Sequence, residues 1–174
     1  VALLGVVIGG WLTVHNQERS WQREHSRQWR DIRLAAYNEF LTACRQYIAF
    51  TLEPTAKITA VPHPREPGTM MPFFDETGRP YKEKLESTFT AVRLVSELPE
   101  TVKTLVGVMN AARPIAAARA TMCEADIPSD YFKRLWSAEQ QFLIVARQEL
   151  GLPAMSRASE TNNQMSSAPE ENDR

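Results

Sequence analysis

The first fifty residues read as one helix, and that register constrains everything after it. Trp11, Val14, Trp21, His25, Trp29, Ile32, Ala36, Phe40, Ala43, Tyr47 and Phe50 follow one another by threes and fours, with Glu18 filling the one gap. A helix turns about 100° per residue, so this spacing holds them on one side. Val1 to Val14 carries no charge, and from His15 the register continues through charged sequence to Leu52. The expectation is a membrane anchor over 1–14, a charged stalk over 15–33 and a helical body over 34–152, made in one piece.

The anchor is short. Fourteen residues rise about 21 Å as a helix, against a hydrocarbon layer of about 30 Å. A secretory leader carries a basic start and a small-residue cleavage site, and Val1 to Val14 shows neither. A core helix would have to tolerate the dense charge that follows at once. A span that tilts, thins the bilayer or lacks its first few residues fits the run; Val1 is in keeping with a fragment or a non-standard initiator. Trp11 suits the water–lipid boundary. Arg19, Arg23, Arg27, Arg30 and Arg33 follow the run and no Lys or Arg precedes it, so the positive-inside rule puts the body in the cytoplasm, on a single-pass protein of the cell membrane.

Those five arginines, spaced four, four, three and three, share about a third of the helix circumference. A solvated stalk face accounts for them. So does contact with anionic headgroups, each residue worth on the order of 1 kcal/mol near the surface. A helix leaving the bilayer steeply would lift Arg30 and Arg33 beyond a Debye length of about 8 Å. Only a helix lying along the membrane would use all five. Trp21 and Trp29, with His25 between them, form an aromatic strip that reads as a base-stacking or choline-type site or as a partner contact. Self-association of the stalk as a coiled coil, or contact with the body, explains it more simply.

After Arg33 the arginine face turns apolar through Leu34, Tyr37, Leu41, Cys44 and Ile48, beside the continuing Phe40–Tyr47–Phe50 stripe. So wide an apolar face packs against several neighbours, and the body is expected to start near Ile32 to Ala36. Glu53-Pro54 ends the helix. Residues 53–80 are rich in Pro and read as a loop, with a short helical turn near Thr55 to Ala60. Met70, Met71, Phe73 and Phe74 are unusual in a solvated linker; a cap over one bundle end and a docking patch for a partner both explain them.

Tyr81 to Leu98 returns to helical period through Leu85, Phe89, Val92 and Val95. Pro99 and Glu100 suit a fresh helix start. The third helix uses Val102, Leu105, Val106, Met109, Ala112 and Ala116, with a kink or break expected at Pro114 and close helix approach along the alanines after it. The last helix, about Ser129 to Leu150, carries Phe132, Leu135, Trp136, Phe142, Leu143 and Ala146; Gly151 and Pro153 stop it. Residues 153–174 have almost nothing to bury and read as a disordered tail. No strand pattern longer than a few residues stands out. The fold class is all-α: an N-terminal membrane helix continuous with a long stalk, leading into an up-down bundle of about four helices.

Chemistry is scarce. The formal net charge of −1 argues against a general nucleic-acid binder. His15, His25 and His63 are the only histidines and fall in no chelating pair. Cys44 and Cys123 have neither metal nor redox spacing, and a buried free thiol suits Cys44. No phosphate loop, nucleophile elbow or paired core carboxylates can be assigned. No catalytic, cofactor-binding or metal residue is therefore expected.

The stretch Gly9-Gly10-Trp11-Leu12-Thr13, the Arg/Gln/Trp-rich stalk, Tyr37-Asn38-Glu39-Phe40-Leu41, Ala91-Val92-Arg93-Leu94-Val95 and Ala146-Arg147-Gln148-Glu149-Leu150-Gly151-Leu152 together resemble a group of small uncharacterised actinobacterial membrane proteins. The resemblance implies the anchor, stalk and helical body and carries no activity with it. The Pro-rich loop and acidic tail stand outside it.

The functional expectation is a membrane-tethered interaction, scaffold or regulatory protein. It would touch the lipid bilayer through the arginine strip and an unidentified protein through Trp21, Trp29, Met70, Met71, Phe73 or Phe74, with self-association through the stalk. The alternative is a ligand-sensing bundle, outward facing if the charge rule fails. A third reading, a soluble helical enzyme with a cleaved leader, requires a mature start near Gln17.

Overall fold

A computed structural model describes residues 2–63, 68 and 70–153, with side chains described at Trp21 and from Glu24 onward. The tail expected from 153 lies, from 154, outside the described residues. Helix α1 runs from Ala2 to Thr51 without interruption. It closes as the N–H groups of Leu52 and Glu53 bond to Ile48 and Phe50 carbonyls at 3.1 and 3.0 Å, just before Pro54. Helices α2 (Arg79–Val95), α3 (Pro99–Arg119) and α4 (Ser129–Glu149) complete the body, and a single 3₁₀ turn, Glu124–Asp126, leads into α4. The chain is mostly helical, as its periodicity implied.

The Pro-rich stretch departs from expectation. Instead of a loop with a helical turn, it holds an antiparallel hairpin of β1 (Ile58–Pro62) and β2 (Met70–Phe74), with Ile58 opposite Phe74, Ala60 opposite Pro72 and Pro62 opposite Met70. An isolated pair of strands is marginal in water, and this one is held by packing, since Ile58, Pro72 and Phe74 are buried in the body. Proline is tolerated because each strand of a two-stranded ribbon is an edge. The all-α class is corrected to that extent.

Where the chain re-enters helix, Asp75 organises the start of α2. Its Oδ1 accepts Thr77 N–H at 3.1 Å, Thr77 Oγ1 at 2.7 Å and Gly78 N–H at 3.1 Å, and these bonds, led by the Thr77 hydroxyl, hold its carboxyl below the usual range. Gly78 sits where a Cβ would lie 2.6 Å from Phe50 and 2.7 Å from Phe74. Only a residue without a side chain lets α2 begin this close to α1.

The core is aromatic at its centre. Phe142 of α4 meets Phe40 and Tyr37 of α1 edge-on, with ring centroids 5.6 and 5.7 Å apart. Leu85, Val92, Leu105, Val108 and Ile115 are wholly buried around it. Among the described side chains of α1, burial begins with Arg33, Ala36 and Tyr37, within the expected start near Ile32 to Ala36, although Ile32 and Leu34 themselves are 41% and 50% exposed. Trp136, expected on the buried face of α4, is 63% exposed. Helix α3 continues through Pro114 without a break. Asn110 and Pro114 are both exposed, so the Asn110 carbonyl that a proline at i+4 leaves unbonded faces water.

Candidate functional site

Three places combine exposed or unusual side chains. The first is the stalk. Trp21 stacks on His25 at 5.9 Å with the rings 7° from parallel, and Trp29 donates its indole N–H to His25 Nε2 at 3.0 Å. The four-residue spacing makes this ladder possible, since i and i+4 lie one above the other. Trp21 remains 73% exposed and Trp29 39%. Arg27 and Arg30 are exposed; Arg19 and Arg23 lie on α1 but their side chains fall outside the described ones.

Arg33 leaves the strip to which its spacing assigned it, because it belongs to the junction between stalk and body. Its Nε donates to the Val95 carbonyl at 2.9 Å and lies 4.0 Å from Glu149 Oε1, while its terminal nitrogen pairs with Glu97. Only 11% of its side chain is exposed. Glu149 is almost wholly buried; its carboxylate accepts the N–H groups of Glu97 at 2.6 Å and Leu98 at 3.4 Å and the hydroxyl of Thr101. It therefore caps the N-terminus of α3, where unpaired N–H groups and the helix dipole favour negative charge. Burial raises the Glu149 pKa, but the bonds from Thr101, Glu97, Tyr37 and Leu98 outweigh it and leave the group below its ordinary value. Tyr37 completes the clasp through Ser96 at 3.2 Å, and its burial pushes the phenol up to about 12. Nothing in the sequence marked Glu149 or Thr101: each is an ordinary helix residue until the chain folds.

The third place is the hairpin. It separates the four bulky residues expected to act together: Phe74 is buried, Met71 half-buried, Met70 47% and Phe73 53% exposed. Strand alternation puts Met70, Pro72 and Phe74 on one face and Met71 and Phe73 on the other, so Phe74 packs into the body while Phe73 faces out. Beside it, Met70, Pro72, Pro114, Ala117, Met122 and Tyr131 line an open cleft of about 590 Å³ between β2, the second half of α3 and the start of α4. A smaller hollow of about 110 Å³ continues from it toward Tyr47 and Leu85. His63, Met71, Pro72 and Arg113 border both, and Lys82 and Glu86 border the smaller. The alanines after Pro114 divide the work, Ala116 being wholly buried in the helix packing while Ala117 and Ala118 line the cleft. Arg113, Met122 and Tyr131 went unnoticed in the sequence; Pro114 and the alanines were the available signal.

Among the described residues, no three His, Cys, Asp or Glu side chains converge as a metal cage. Cys44 and Cys123 are both free, the first buried and the second exposed. No helix among the described residues is long and apolar enough to cross a membrane. Comparison with protein-family models, curated proteins and solved structures finds no match for this chain.

Proposed function

We propose that the protein is a membrane-tethered interaction body. Its first residues enter lipid as a short, tilted span, the stalk raises the body on the cytoplasmic side, and the hairpin offers a docking surface to another protein. One observation carries the reading: β2 holds Phe73 out to solvent, on the face of the strand opposite buried Pro72 and Phe74. Bulky apolar side chains presented rigidly lose little entropy on association, and aromatic anchors of this kind dominate binding energy. The resemblance to small actinobacterial membrane proteins agrees with this topology. Pairing of two copies through Trp21 and Trp29 belongs to the same reading, whereas a stalk that rises steeply carries Arg27 and Arg30 out of reach of the headgroups. The protein acts by contact and not by catalysis. The ligand-sensing alternative draws support from the cleft beside the hairpin.

A photocrosslinking residue at Phe73 in native membranes tests the docking surface, with the equally exposed Trp136 position as its control. A discrete adduct from position 73 alone is the expected result; the same adducts from both positions would overturn it. Retention of the full chain in vesicles through alkaline carbonate washing is expected of the tether, and its release would remove that part of the reading.

A further inference from the structure

We propose that the paired cavities beside the hairpin bind a monocarboxylic acid with an apolar body, its carboxylate on Arg113 and its body along the cleft toward Met122 and Tyr131. Arg113 stands where the two spaces meet. It is exposed and makes no hydrogen bond or ion pair among the described residues, unlike Arg33 and Arg119, whose guanidinium groups are engaged in bonds to backbone carbonyls and carboxylates. Lys82 and Glu86 border the smaller hollow with it. Two cations against one carboxylate leave one uncompensated positive charge, which suits a singly charged anion better than a phosphate monoester.

Asn110, Thr121 and His63 also border the cleft, and the rest of its lining is largely apolar and adaptable. Met70, Met71 and Met122 supply unbranched, polarizable side chains that accommodate varied shapes, Pro114 and Ala117 form a smooth floor, and Tyr131 closes one end. A volume of about 590 Å³ falls in the range of small-molecule sites. Three methionines, two prolines and two alanines beside one guanidinium unbonded among the described residues, with Asn110 and Thr121 as further polar partners, suit an amphiphilic acid.

On the tether and rising stalk proposed above, distance favours a free acid over a lipid headgroup. Tyr47, at the inner hollow, lies 33 residues along the continuous α1 from Val14, a rise of about 50 Å. The inference concerns the cleft and not the outward face of Phe73, so it stands or falls separately from the docking surface.

The full chain with phosphatidylcholine nanodiscs, at about pH 8 where a carboxylic acid is ionised, is exposed to a diazirine-bearing dodecanoic acid and irradiated. Labelling is expected on the peptides carrying Met122 and Tyr131. Arg113→Gln should weaken it by about tenfold, the loss of one charge-assisted bond. Ala117→Phe should abolish it by filling the floor while the thermal unfolding profile holds. Equal labelling by the matching alcohol, loss of the same size in Arg134→Gln (an exposed arginine of α4 outside both cavities), or persistence in either cleft variant would overturn the proposal. Suppression by phosphatidylglycerol in the discs as effective as that by free acid would make the occupant a lipid, and would overturn it too.

Discussion

Glu149, at the end of α4, accepts the backbone N–H of Glu97 at 2.6 Å, so the last turn of one helix caps the first turn of another. Arg33 of the stalk closes on the same group. One carboxylate thereby joins the end of α4, the start of α3 and Arg33 of α1. Replacing it by an amide turns an acceptor into a group with two donors, facing N–H groups that need acceptors. Glu149→Gln is expected to cost about 1 to 3 kcal/mol in denaturant unfolding.

The same group sets an acid limit. A carboxyl held below its unfolded value contributes stability that is complete above the unfolded pKa, about 4.3 for Glu, and that fades as pH falls through the lower folded value. Asp75 acts in the same direction. The melting temperature should therefore decline from about pH 5 downward, and less steeply in Glu149→Gln, which lacks the titrating group. Equal slopes in the two proteins would show that Glu149 does not govern the transition.

Gly78→Ala is expected to destabilise by about 1 to 3 kcal/mol, since its Cβ would fall within 3 Å of both Phe50 and Phe74. The backbone at Gly78 is ordinary helical, with φ of −88°, so the cost is steric. Phe50→Leu in the same chain should recover part of it, which a denaturation midpoint would register.

The two thiols should behave oppositely. Burial pushes the Cys44 thiol up to about 12, leaving almost no thiolate at neutral pH, whereas Cys123 is exposed. Mass spectrometry after brief iodoacetamide treatment should find Cys123 modified in the native protein and Cys44 only after unfolding. Early modification of Cys44 would mean that the α1 face opens locally.

Phe142→Ala removes the ring that joins Tyr37 and Phe40 across the helices. A loss of about 3 to 5 kcal/mol is expected, enough to abolish cooperative melting in a marginal domain.

Helix count and most helix boundaries were legible because apolar spacing by threes and fours is a local property. Pro99 marked the start of α3 and Gly151 the end of α4 for the same reason. The hairpin was hidden: Met70-Met71-Pro72-Phe73-Phe74 has no alternation of polar and apolar residues, and its strand character arises from burial of Pro72 and Phe74 against the helices. Trp136 misled in the opposite sense, since an aromatic residue of the right type lies outside the contact surface. At the site, Met70 and Phe73 were recognised by bulk, whereas Arg113 was one basic residue among many.

By itself, then, the sequence determined a mostly helical chain with a long leading helix, for hydrogen bonding within a helix and the register of its apolar face require only neighbours along the chain. Tertiary structure decided which charges would be used: Arg33 left the stalk for Glu149, Glu149 became the cap of a distant helix, and Arg113 stayed unpaired beside a cleft. Such pairings join residues as many as 116 positions apart, counted from Arg33 to Glu149, and a carboxylate acquires its role only when folding brings unsatisfied N–H groups and a cation around it.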